Sequence, residues 1–254
     1  MSDADREKRR DINMKKEIID IKNKKGLADF LRQPTIKIAE FLTGFLTSNL
    51  NDYKLSTGHL VQAVLKGNLF TQLEREINKY IEDGKIKENY FSTNLNQQTL
   101  YELLKFIDTD VPDKERFKAI KSIFFFSVSV ESNEKDEVLA YEFLQTAKKL
   151  SSTEILILKA NFEIVLGKFP ADLDKEILRN AQSKRSVWKM IMAKQMGYGE
   201  LHDIITKYET NLESLGLISP RCADARFSDD FEPTKKYRLT EMGYKFCEFM
   251  MKYD

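Results

Sequence analysis

GELHDIITKYETNLESLGLI, residues 199–218, is the stretch on which the fold turns. Leu201, Ile204, Ile205, Tyr208, Leu212 and Leu215 recur at helical spacing, and Gly216 stands where a left-handed residue ends a helix. Upstream, residues 183–196 (SKRSVWKMIMAKQM) predict another helix, capped by Ser183 and ended by Gly197. A short helix is expected at 171–180. Before it, Ser151-Ser152-Thr153-Glu154 forms a capping box, with Leu150 and Ile155 placed as a hydrophobic staple. That box opens a helix through Leu158, Phe162 and Val165 to Gly167, and marks position 150 as a module boundary. Downstream of Gly216 come Leu217-Ile218-Ser219, a polar segment holding Pro220 and Pro233, then KYRLT at 236–240 and a last helix, EMGYKFCEFMMKY.

A helix ending in LGLI (215–218), a charged connection expected to form a hairpin, and YRLTEMGYKF (237–246) follow an order that resembles winged-helix regulators of the MarR and PadR kind. The resemblance covers residues 150–254 at most. It implies that the helix ending at LGLI is a recognition helix, that the hairpin is the wing, and that Thr240 caps the closing helix. The expected architecture is therefore mainly α: a charged helical arm at 1–26, a helical domain at 27–149, and a winged helix-turn-helix with a small β-hairpin wing at 150–254.

Recognition helices show Arg, Lys, Asn, Gln, Ser or Thr on the free face. Opposite the apolar seam this sequence offers Glu200, Asp203, Lys207, Glu209 and Glu213, an excess of acid that would repel a phosphate backbone. Basic residues lie on the preceding helix (Lys184, Arg185, Lys189, Lys194) and after the connection (Lys235, Lys236, Arg238). Those seven residues are the candidate surface for a nucleic acid or a protein partner. Trp188 falls beside Val187 and Ile191 and is expected in the core.

From residue 27 to 149 the pattern is helix after helix. Pro34 suits the first turn of one carrying Ile36, Ile38, Phe41, Leu42, Phe45 and Leu46. Ser56 caps a helix that Gly67 ends, and Asn68 opens a longer one closed by Gly84. Residues 97–107 repeat the pattern. Asp108, Asp110 and Asp113 cluster, but a calcium loop counted from Asp108 needs Gly and Glu where Asp113 and Ala119 stand. A helix start fits instead, with Asp110 as cap and Pro112 and Asp113 in the first turn. IFFFSVSV (123–130) reads as the buried end of a central helix, and 131–150 as the next one. In the arm, Met14, Ile18 and Ile21 make one thin apolar stripe.

Hydrophobic content of 42% rules out a disordered chain, and ten Gly with five Pro are too few for the turns of an all-β fold. A net charge of +1 supplies no global attraction for nucleic acid, so any such binding needs a local patch. Two cysteines, Cys222 and Cys247, make no disulfide framework and lack zinc spacing. The first residues lack the apolar core of a secretory signal, and no apolar run is long enough to span a bilayer. A cytoplasmic protein without membrane, metal or cofactor is expected. Neither phosphate-binding glycine motif occurs, and neither His59 nor His202 stands beside a nucleophile motif. The leading expectation is a non-catalytic interaction or regulatory protein assembling with a protein partner or with itself. The alternative is a DNA-binding transcriptional regulator of bacterial or phage origin.

Overall fold

In the computed structural model the described residues are 57–87, 90, 93–171, 173–181, 185–197, 202–219 and 236–253; within them, the side chains of 57–64, 185–186 and 202–204 are left aside. The arm at 1–26, the helix expected after Pro34 and the Ser56 cap lie outside these residues.

The described elements are α1 (Thr57–Glu82), α2 (Asn94–Asp110), α3 (Lys114–Ser127), α4 (Glu134–Ala147), α5 (Ser152–Val165), α6 (Lys175–Ala181), α7 (Arg185–Gln195), α8 (His202–Ser214) and α9 (Glu241–Met251). α1 runs unbroken through Gly67, where the sequence suggested a stop. A glycine inside a helix costs only about 1 kcal/mol relative to alanine, so a long helix with a packed face absorbs it. Thr71 Oγ1 donates to Gly67 O at 2.9 Å, which occupies that carbonyl.

α3 is the centre. Its last eight residues are all buried, three of them consecutive phenylalanines, because a helix apolar on every side must be surrounded. α1, α2, α4, α5 and α9 all pack against it. The helix starts three residues later than the aspartates suggested. Asp113, not Asp110, is the cap, with Oδ1 accepting from the N–H of Glu115 and Arg116 at 3.0 and 3.1 Å. Asp110 ends α2, and the Val111 φ of +45° turns the chain between the two helices. Burial opposes ionisation of Asp113, but bonds from the Ser152 hydroxyl and two backbone N–H groups outweigh it and hold the carboxyl below its ordinary range.

The expected capping box at the start of α5 is present: Glu154 Oε2 accepts from Ser151 N–H at 2.7 Å, and Ser151 Oγ accepts from Glu154 N–H. α4 carries a second box, from Asn133 and Asp136. Leu150 and Ile155 are both buried. The box marks where a helix begins, yet the residues on either side of it belong to one hydrophobic core.

α9 carries much of that continuity. Phe249 lies 3.9 Å from Phe126 of α3 and 5.2 Å from Phe143 of α4, ring centre to ring centre, and Phe246 is 5.3 Å from Phe143. Ser122 in α3 is buried, donates to Phe249 O at 2.8 Å and accepts from the Tyr253 N–H at 3.0 Å. Removing this hydroxyl strands a buried carbonyl that has left the reach of water. Ser122→Ala is expected to cost about 2 kcal/mol, read as a lower urea midpoint at unchanged slope. A midpoint equal to the parent's would mean the end of α9 is not held there.

The expected β-hairpin wing is not found. Among the described residues there is no strand, only two isolated antiparallel bridges, Ile86 with Ser129 and Ile218 with Leu239. At the second, Ser219 N–H donates to Arg238 O at 2.8 Å and Thr240 N–H to Leu217 O at 3.2 Å. A ladder needs successive paired residues; residues 220–235, where the hairpin was expected, lie outside the described residues, and 236–238 form a turn. Leu239 N–H bonds back to Lys236 O, a turn instead of an extended arm.

Candidate functional site

The surface built by α7, α8 and the turn at 236–240 holds most of the residues singled out in the sequence. α7 packs on α5, α6 and α8, and α8 on α5. Their inner faces supply Trp188, Ile191, Met192, Ala193, Ile205 and Leu212, all buried. Trp188 is in the core, as its spacing implied, with the Tyr237 ring stacked over it at 6.3 Å and 28°. Tyr237 takes a φ of +50°, a conformation that L side chains adopt at a cost, and its ring covers the indole.

Of the acids expected on the free face of α8, Glu200 and the side chain of Asp203 lie outside what is described, and the other two are drawn away from solvent in part or in full. Glu209 is buried, and Glu213, one turn later, accepts from Arg238 Nη2 through Oε1 at 2.7 Å. Among the described side chains of α8 the exposed ones are Lys207, Thr210, Asn211 and Ser214, which fall on one side at helical spacing. Asn211 is already engaged, its Nδ2 donating to Glu154 Oε1 at 2.6 Å and so tying α8 to the cap of α5. The helical wheel alone placed Glu209 and Glu213 outside; Glu213 finds its partner in Arg238, twenty-five residues further on.

The seven basic candidates do not gather into one described patch. Lys184 and Lys235 lie outside the described residues, as does the side chain of Arg185. Arg238 is 0% exposed and cannot meet a ligand from solvent in this state. Lys236 pairs with Glu241 and lies over the Tyr244 ring at 4.8 Å. Lys189 is half-buried, and Lys194 is exposed near the end of α7. Beside Lys194 on the solvent side of α7 stand Val187, 38% exposed, and Met190, 62% exposed, at offsets of seven and four residues. Among the described side chains, the outer face of α7 thus carries two apolar residues and a lysine near its end, a pattern hidden in the sequence by the buried apolar residues between.

Elsewhere, one cluster has the residue types of an activated nucleophile. Lys87 Nζ lies 3.2 Å from Ser132 Oγ. The ammonium also donates to Ser132 O at 3.1 Å and sits 3.7 Å from Glu137 Oε1, while Thr93 Oγ1 donates to Glu137 Oε2 at 3.0 Å. The Ser132 hydroxyl faces the Ser127 and Ser129 carbonyls at 2.8 Å, so its proton is directed to main chain and not to a base. The cluster clamps residues 85–87 to the turn after α3, where Lys87 N–H donates to Val128 O and Val130 N–H to Lys85 O. No sequence motif announced it, since its members come from two stretches whose bonded residues stand 44 and 45 positions apart.

Burial pushes the Cys247 thiol up, with the Glu248 charge adding to the effect, so this sulfur is an unreactive part of the core. Cys222 lies outside the described residues, and the side chains of His59 and His202 are not described. Among the described residues no group of three or more His, Cys, Asp or Glu side chains is placed to hold a metal ion. Nor is any described helix long and apolar enough to cross a membrane. Comparison with known proteins finds no matching family model, no matching curated protein and no matching solved structure.

Proposed function

We propose that the chain is a non-catalytic interaction or regulatory protein that assembles with a protein partner or with itself, and that α7 contributes to the contact. The observation carrying this reading is the outward placement of Val187 and Met190 on a helix whose inner face already fills the core. Methionine adapts its shape to an opposing surface and is enriched at interfaces. Two of the positive charges expected to compete for a phosphate backbone, Arg238 and Lys236, are instead engaged by Glu213 and Glu241. The likeness of α7, α8 and α9 to a helix-turn-helix array stays with this proposal as a docking scaffold, without a wing.

Sedimentation velocity of the intact protein, together with affinity capture from its source, tests the reading. The double variant Val187→Asp/Met190→Asp is the control, and both positions are exposed enough to keep the fold, which circular dichroism checks. Self-association or a captured partner should weaken at least tenfold in the variant. Equal assembly by both proteins would remove α7 from the contact, and no assembly or capture by the parent would overturn the function.

DNA binding is the second reading, favoured by one observation: among the described side chains of α8, Lys207, Thr210 and Ser214 face outward, while Glu209 is buried and Glu213 is held by Arg238. Fluorescence anisotropy with duplex DNA at two salt concentrations separates it from the first. Affinity that falls steeply with salt and is lost in Lys207→Glu would promote it. Absence of binding at low salt would retire it.

A further inference from the structure

We draw no further inference here: the strongest candidate, the exposed aliphatic patch of Val130, Val138 and Leu139 where the turn after α3 meets the first turns of α4, carries nothing because nothing in the structure shows what covers it.

Discussion

Arg238→Ala is expected to lower the unfolding free energy by about 3–5 kcal/mol, the range for breaking a buried ion pair from one side. The guanidinium is fully buried and donates to Glu213 at 2.7 Å, while Glu209 is buried one turn away on the same side of α8. Alanine leaves acid in a place where water no longer compensates it, and also removes the aliphatic stem that packs there. Charge and packing can be told apart with a second variant. Arg238→Met restores most of the volume without the charge, so it should remain destabilised if the ion pair dominates and recover if the stem does. Urea unfolding at neutral pH is the measurement. A loss below about 1 kcal/mol in Arg238→Ala would mean the side chain lies in water, as exposed pairs of this kind contribute no more than that. The exposed face of α8 would then be acidic after all.

Gly243→Ala should be comparably severe, for a steric reason. A Cβ at Gly243 would lie 1.8 Å from Leu217 O and 2.7 Å from Leu217 C, both backbone atoms. No rotamer change relieves a clash with main chain, so α9 or the 217–219 segment must shift. The same place holds the Thr240 cap: Thr240 Oγ1 accepts from Gly243 N–H at 2.9 Å and donates to Gly216 O at 2.6 Å. Moving α9 away strains these bonds together with its aromatic contacts to Phe126 and Phe143. The expected cost is about 3 kcal/mol or more, at the upper end of overpacking, despite the better helix propensity of alanine. Thermal unfolding followed by near-ultraviolet circular dichroism would show it, with Trp188 and the buried aromatics as reporters. A variant that melts at the parent's temperature would mean the two backbones do not approach as closely as described.

Some of the fold was legible because its causes are local. A capping box is four residues of geometry, so Ser151 and Glu154 announced the start of α5. Gly216 announced the end of α8 because a φ of +68° is readily available only to glycine. The run of phenylalanines in α3 could be assigned to a buried helix because Phe117 and Ile120 had already set the period. Trp188 followed from the same argument.

Other expectations failed where the deciding partner is distant in sequence. Gly67 was read as a stop, yet α1 runs through it; Asp110 was read as a cap, yet Asp113 takes that role and is also bonded by Ser152, thirty-nine residues on. The hairpin wing was inferred from the order of segments around 217–240, whereas pairing beyond one bridge requires a register that no local pattern specifies. The Lys87–Ser132–Glu137–Thr93 clamp left no trace in any motif.

By itself the sequence determined the helical class, the cap of α5, the glycine stops after α1, α5, α7 and α8, and many of the apolar residues that face inward, because these depend on residues within a turn or two of one another. Tertiary structure alone decided what the surface offers. Arg238 belongs to the interior and Met190 to the exterior. Exposure depends on which element lies across from a side chain, and in this chain Arg238 lies twenty-five residues from the Glu213 it neutralises.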